Sequence, residues 1–310
     1  MRVISFVIPC YRSQNTITNV VDSIYEIMAN KDDTFEVLLI NDGSPDNVWA
    51  VISKLAAERE EVIAIDLAKN FGQHSALMAG YAYSKGDVIV SLDDDGQTDV
   101  HEVYKLVNAL DTYDVVFAEY GTIKQNRFRV WGSRVNELMT EQLIDKPKEI
   151  HPTSYFATHR FIIEEMLRYD GSYPYIGGLI FRATSNIGNV KISHKTRIEG
   201  SSGYNFKRLV SMWLNGFTAF SVKPLRMASM MGAFFSACGF LYGIVIIIKK
   251  IIHPQIQMGY SSIMVAILFI GGVLMLLLGL LGEYIGRIYI GMNKRPQYVI
   301  RSIVKNDRIG

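Results

Sequence analysis

Apolar and polar positions in the first 120 residues alternate between two periods. Short apolar runs at Val3 to Pro9, Phe35 to Ile40, Val62 to Ile65, Val88 to Leu92 and Val115 to Ala118 have the pattern of strands buried on both faces. Between them, apolar residues recur at helical spacing: Ile17, Val20, Val21, Ile24 and Ile27, then Val48, Val51, Ile52 and Leu55, then Val100, Val103, Leu106, Val107 and Leu110. Ala76 to Tyr83 is rich in small residues and reads as a helix lying close on a sheet. Repeated strand–helix units predict an α/β fold, a Rossmann-like and mostly parallel sheet with helices on both faces. Ligands of such sheets bind outside the carboxyl ends of the strands.

After residue 120 the pattern changes. Lys124, Arg127, Arg129 and Arg134 surround Trp131, either as a solvated basic face or as a phosphate site. Tyr175-Ile176-Gly177-Gly178 reads as a close approach of backbone to another group. His194, Lys195 and Arg197 lead into the glycine-rich Gly200-Ser201-Ser202-Gly203-Tyr204. From Asn205 to Phe220, Leu209, Met212, Trp213 and Leu214 share one side, which suits a helix in a membrane interface or one packed on a core. Ala228 to Ile248 is 21 residues without a charge, about 31 Å as helix, the thickness of a bilayer's hydrocarbon core. Ile263 to Leu281 supplies 19 more. Two buried core helices fit such uninterrupted runs poorly, so two transmembrane helices joined by a loop at Lys249 to Ser262 are expected. Lys223 and Arg226 precede the first span, and Arg287, Lys294, Arg295, Arg301, Lys305 and Arg308 follow the second. Only Lys249 and Lys250 are charged in the loop, so both termini should face the cytoplasm. The predicted organisation is a cytoplasmic catalytic domain over 1–204, interfacial helices over 205–226, a two-helix hairpin over 227–290 and a tail over 291–310.

Composition narrows the function classes. With 310 residues the chain can form one large domain and an appendage. A net charge of +2 gives no bulk electrostatic case for nucleic acid. Cys10 and Cys238, at a strand end and in an apolar segment, argue against a disulfide framework or a cysteine metal site. The N-terminus MRVISFVIPCY lacks the long apolar core and cleavage site of a signal peptide.

The candidate chemistry sits at predicted strand ends. Asp93, Asp94 and Asp95 follow Val88 to Leu92 directly. Adjacent carboxylates at the mouth of a buried strand repel one another and resist desolvation. Asp93 and Asp95, two apart, leave an extended chain on one side. They suit Mg²⁺ or Mn²⁺, ions that take one or two carboxylates together with substrate phosphates. Gly96 lets the chain turn, and Gln97 can reach back toward the ion. The same residues would also serve as an acidic turn capping a helix that begins near Thr98. Pro9-Cys10-Tyr11, Asn41-Asp42 and Lys69-Asn70 lie at neighbouring strand ends. Each alone is an ordinary turn; together they support one nucleotide-sized pocket, with Asp42 accepting bonds from a base or ribose. Neither GxGxxG nor GxxxxGK[ST] occurs, so no dinucleotide fingerprint or P-loop is present.

Taken together, Val7-Ile8-Pro9-Cys10-Tyr11, Asn41-Asp42-Gly43-Ser44, Asn70-Phe71-Gly72 and Asp93-Asp94-Asp95-Gly96-Gln97 resemble glycosyltransferase family 2. Gly282-Glu283-Tyr284-Ile285-Gly286-Arg287 and Arg295-Pro296-Gln297-Tyr298, beside paired spans, resemble its membrane-anchored polyprenyl-phosphate transferases. The resemblance implies a GT-A fold, a UDP- or GDP-sugar donor, inversion at the anomeric carbon, a divalent metal and a lipid-phosphate acceptor such as undecaprenyl phosphate. It also implies residence in the bacterial cytoplasmic membrane, often as a homotetramer. Carried onto this chain, the catalytic set is Asp93, Asp95 and Gln97, with the metal on Asp93 and Asp95. The nucleotide-sugar set is Pro9, Tyr11, Asn15, Asp42, Asn70, Gly72 and Asp94. The acceptor phosphate falls to Arg127, Arg129, Arg134 and Arg197. Three positions depart from the pattern. Asn41 stands where an acidic residue is common, the segment 151–156 lacks an acidic residue before its aromatics, and Gly291 replaces a charged residue.

Two other readings compete. A transferase with a hydroxyl acceptor is one, although the QxxRW motif of processive synthases is missing. A non-catalytic membrane scaffold is the other, although such a chain would be expected to lose Asp42, Asp93 and Asp95.

Overall fold

The structure is a computed structural model. It describes residues 1–96, 98–120, 150–192, 259–292 and 296–306, with isolated positions between 230 and 252. The described elements run β1 (Val3–Cys10), α1 (Ile17–Met28), β2 (Thr34–Asn41), α2 (Val48–Glu58), β3 (Val62–Leu67), α3 (Gln73–Tyr83) and β4 (Val88–Ser91). A 3₁₀ turn at Val100–Glu102 leads into α4 (Val103–Ala109) and β5 (Val115–Tyr120). Then come β6 (Phe156–His159), α5 (Arg160–Leu167), α6 (Ile176–Ala183), β7 (Ile187–Ile192), α7 (Tyr260–Met292) and β8 (Ile300–Lys305).

Every strand and helix expected in the first 120 residues is present, because each buries the apolar residues that announced it. The sheet order is β7-β5-β6-β4-β1-β2-β3-β8. Its centre, β4-β1-β2-β3, is parallel, and β5 pairs parallel with β7. β6 runs antiparallel to both β4 and β5, and β8 antiparallel to β3. The result is a mostly parallel mixed sheet. On one face, Phe6, Ile8, Val37, Leu39 and Val90 pack with Ile17, Val21, Ile24 and Ile52 of α1 and α2 in one fully buried cluster.

On the other side α3 lies against β1 and β2, as its small residues predict. A methyl group on Gly80 would stand 2.4 Å from Val7 Cγ1 and 2.7 Å from Ile40 Cδ1. Overpacking of that kind costs about 1–3 kcal/mol.

The chain divides into two compact units, Met1–Tyr204 with Lys294–Gly310, and Asn205–Asn293. Residues 300–305, read above as part of a tail, are an edge strand of the first unit's sheet. In the second unit α7 contains an apolar window, Phe269–Gly286, long enough to cross a membrane and with none of its residues buried. Ile267, Phe269, Ile270, Leu274, Met275 and Leu278 are all exposed along it. The helix starts at Tyr260 and runs through Gly282 and Gly286 to Met292, beyond the expected end at Leu281. The interfacial helix and all but isolated positions of the first expected span fall outside the described residues.

Candidate active site

β1, β2, β3 and β4 are in register, with Cys10 opposite Asn41, Asn41 opposite Asp66 and Val7 opposite Ser91. Their carboxyl ends therefore open at one level, and the loops that follow are tied to each other. After β1, Arg12 takes the left-handed conformation at φ +60°. Its N–H donates to Ser44 Oγ at 2.8 Å. The Gln14 N–H donates to Asp46 at 3.2 Å, and Gln14 Oε1 accepts from the Asn47 N–H at 2.9 Å. After β2, Asn41 Oδ1 accepts from the Ser44 N–H at 3.0 Å. Gly43 sits at φ +57°, where a Cβ would lie 2.4 Å from the Asn70 nitrogen and 2.5 Å from the Lys69 carbonyl carbon. Only glycine lets these two backbones touch.

Asp42 is 3% exposed. Its two oxygens accept the Phe71 and Gly72 N–H groups at 2.7 and 2.9 Å, so it anchors the loop after β3. Burial raises its pKa in spite of those two bonds, which lower it. Asp94 does similar work for the first loop. Its Oδ2 accepts the Tyr11 N–H at 2.9 Å and its carbonyl accepts Thr16 Oγ1 at 2.6 Å. Burial, with the neighbouring Asp93 charge, pushes the Asp94 carboxyl up to about 6.

Asp93 is held from two sides. Gln73 Nε2, at the start of α3, donates to Oδ1 at 2.9 Å, and Ser154 Oγ, just before β6, bonds to Oδ2. Burial raises the Asp93 pKa, and the Asp95 charge raises it further. The structure thus brings Tyr11, Asp42, Asn70, Gly72, Asp93, Asp94 and Asp95 to the loops at one end of the sheet. Asn15 is exposed on the first of those loops, and Pro9 is buried inside β1. Tyr11 remains 43% exposed there, with the Arg12 guanidinium 5.5 Å from its ring centroid. Gln97, Arg127, Arg129, Arg134 and Arg197 lie outside the described residues. Tyr175 caps α6 and Ile176 to Gly178 form its first turn, where the atoms nearest a Cβ on Gly177 belong to the Tyr175 ring.

Several site residues carried no sequence signal. Gln73 and Ser154 are neutral residues, 20 and 61 positions from the carboxylate they hold. Asp66, 2% exposed on β3, accepts Asn41 Nδ2 at 2.7 Å. That contact explains Asn41, since a carboxylate in its place would face another carboxylate. A divalent cation fits Asp93 and Asp95 on charge. Two like charges raise each other's cost there, and no cation among the described residues pairs with Asp93. Among the described residues no group of three His, Cys, Asp or Glu side chains forms a site. Further ligands would be diphosphate and water oxygens, as hard cations accept.

The profile of glycosyl transferase family 2 matches residues 5–168, more than half the chain and all four of these loops. The chain belongs to glycosyl transferase family 2. A second profile, the GtrB C-terminal hairpin, matches residues 223–288 of this family 2 chain. Over 98% of its length it is 32% identical to the undecaprenyl-phosphate 4-deoxy-4-formamido-L-arabinose transferase of Klebsiella pneumoniae, covering 94% of that protein. The enzyme of the same name from Yersinia pestis is 31% identical, with the same coverage. A solved structure of glucosyl-3-phosphoglycerate synthase from Mycobacterium tuberculosis, with Mn²⁺, UDP and phosphoglyceric acid, superposes with a TM-score of 0.51 at 20% identity. That match covers 70% of this chain and 76% of the synthase, and establishes a shared GT-A fold.

Proposed function

We propose that this glycosyltransferase moves one sugar from a nucleotide diphosphate sugar, with UDP as the nucleotide, to the phosphate of undecaprenyl phosphate. The observation that carries the reading is the convergence of Asp93 and Asp95 with the Tyr11, Asp42 and Asn70–Gly72 loops at the carboxyl ends of four parallel strands. Support for the acceptor comes from relatives named for undecaprenyl phosphate that align over nearly the whole chain. The donor base lies on the exposed face of Tyr11. The loop fixed by Asp42 stands at the end of the neighbouring strands β2 and β3. A divalent cation on Asp93 and Asp95, Mg²⁺ or Mn²⁺, supplies positive charge for the departing diphosphate. Gln73 and Ser154 keep the Asp93 carboxylate oriented for that task. Arg127, Arg129, Arg134 and Arg197 are the groups for the acceptor phosphate, since guanidinium forks match phosphate oxygens.

Such an acceptor would account for the lack of an obvious base motif in the sequence between Gly121 and Tyr204. A phosphate monoester has its second pKa at about 6 and is mostly a dianion near neutral pH. One of its oxygens attacks the anomeric carbon as the bond to the diphosphate breaks, the leaving group takes the electron pair, and configuration inverts. Three of the acids and bases described after β5 are engaged elsewhere. Glu164 pairs with Arg160 at 3.6 Å, Glu165 with Arg168 at 2.7 Å, and the His159 ring bonds to the Leu110 carbonyl at 3.0 Å.

The test is purified protein with undecaprenyl phosphate, a panel of UDP- and GDP-sugars and Mn²⁺, read by mass spectrometry of the lipid. One sugar added to the lipid phosphate is expected. Transfer only to a hydroxyl-bearing glycolipid would overturn the acceptor assignment.

A further inference from the structure

The donor-site reading leaves β8 without a task, yet its contacts lead into three of the site's loops. Arg301 Nη1 donates to Asp66 Oδ2 at 3.1 Å, and Nη2 to the Ala68 carbonyl at 2.7 Å. The Ala68 N–H donates to the Val299 carbonyl at 2.8 Å. Residues 299–301 therefore grip the end of β3 through three bonds. The chain continues directly into 69–72, the segment that touches Gly43 and is anchored by Asp42. Gln73, the next residue, holds Asp93. From the other oxygen of Asp66, the contact to Asn41 continues to the Ser44 N–H and, through Ser44 Oγ, to the Arg12 N–H. A single buried carboxylate thus joins the C-terminal strand to the loops after β1, β2 and β3.

We propose that Arg301 is a positioning residue for donor binding, acting through Asp66 on Asn41 and on the 68–73 segment. Arg301 does not touch the donor. It fixes the walls of the pocket by neutralising and orienting Asp66, whose side chain is 2% exposed beside an Arg301 that is 62% exposed. The segment that follows α7 in the chain is then a part of the donor site and not a passive end. The inference rests on the donor site proposed above. It also assigns a reason to the Asn41–Asp66 pair: one amide and one carboxylate match, whereas two carboxylates would repel at hydrogen-bond distance.

The experiment uses full-length protein in detergent. It compares wild type, Arg301→Gln, Arg301→Lys, Asn41→Asp and the double variant Asn41→Asp/Asp66→Asn. Calorimetry with UDP or GDP plus Mn²⁺ gives nucleotide affinity, turnover gives separate KM values for donor and lipid, and thermal unfolding gives Tm. Charge-assisted bonds to a buried group are the strong ones. Arg301→Gln should therefore raise the nucleotide Kd and the donor KM about tenfold, equivalent to ~1.4 kcal/mol. The lipid KM and kcat should stay within about twofold, a split far smaller than the tenfold step of 1.4 kcal/mol. Arg301→Lys should recover part of the loss. Asn41→Asp should show the same donor defect, and the double variant, which restores one amide and one carboxylate but leaves Arg301 facing a neutral amide, should recover part of it. Should Arg301→Gln not fold, Arg301→Lys still decides the matter, through a rise in the donor constants alone. A lower Tm with unchanged donor constants, equal rises in both KM values, or no recovery in the double variant overturns the inference. A wild type that binds neither nucleotide overturns the donor-site reading itself, and this inference with it.

Discussion

Asp42→Asn probes the way the loop after β3 is held. In the native protein both carboxylate oxygens accept backbone N–H groups, from Phe71 at 2.7 Å and Gly72 at 2.9 Å. Asparagine keeps one acceptor and turns an NH₂ group toward the second amide, donor against donor. A buried amide left without a partner costs about 1–3 kcal/mol. Against this, the variant no longer carries the desolvated carboxylate whose burial raises the Asp42 pKa. A net loss of about 1–2 kcal/mol near neutral pH follows, a fall in Tm of roughly 2–8 °C for a domain of this size. The pH dependence has a definite sign. Because the folded pKa is raised, the folded state holds the proton more tightly than the unfolded chain does. The stabilising contribution is full below the ordinary carboxylate pKa and is lost as pH rises through the folded value. Asparagine contributes no such slope, so the Tm gap between wild type and variant should be wider at about pH 4 than at about pH 7. Thermal unfolding at the two pH values, beside calorimetry with UDP and Mn²⁺, is the assay. An unchanged Tm, or a gap that widens with rising pH, would refute the role given to Asp42.

Asp93→Asn and Asp95→Asn should each lose most turnover while folding normally, because a charge that carries the cation is worth several kcal/mol in the transition state; near-normal rates for Asp95→Asn in limiting Mg²⁺ would remove the assignment. Gly43→Ala combines left-handed strain of about 1–2 kcal/mol with overlap against Asn70 and Lys69, so it should weaken nucleotide affinity and lower Tm together; a Tm within a degree or so of wild type would mean the two loops separate easily. No single substitution of His151, His159, Glu164, Glu165, Asp170, His194 or Glu199 should match the loss at Asp95, as judged by single-turnover rates at saturating lipid. A variant slowed about a thousandfold with normal donor binding has the size of a lost general base and would point to a hydroxyl acceptor. A cysteine at Ser261 should react with an impermeant thiol reagent on intact cells, and labelling only after permeabilisation would contradict a loop on the far side of the membrane.

The sequence makes the central sheet legible because each strand of β1 to β5 is a local apolar run, and local pattern is what a buried parallel strand requires. The acidic triplet is legible for the opposite reason: three carboxylates at a buried strand end need an explanation. What is missed depends on contacts between distant positions. β8 alternates exposed and half-buried residues over only six positions. It lies in a charged segment after a long apolar helix, and its pairing partner is more than 200 residues away. Gln73 and Ser154 acquire meaning only when α3 and β6 bring them to Asp93. Asn41, conspicuous as a departure from the family pattern, becomes explicable once Asp66 is seen beside it.

The position of β8 also bears on how the chain meets a bilayer. The first unit comprises Met1–Tyr204 and Lys294–Gly310, so the polypeptide leaves that unit and returns to the same sheet. A chain whose two flanks belong to one folded sheet crosses a membrane an even number of times. If Phe269–Gly286 crosses, the return of the chain to the sheet calls for a partner crossing, which we propose lies between residues 205 and 259. Within those limits, 228–248 is the stretch of 21 uncharged residues, and the GtrB C-terminal hairpin profile spans both segments at 223–288. The basic residues before the first span and after the second then fall on one side, in keeping with the positive-inside rule. We propose a two-crossing hairpin with both flanks in the cytoplasm, a reading that sheet pairing, hydropathy and charge each support.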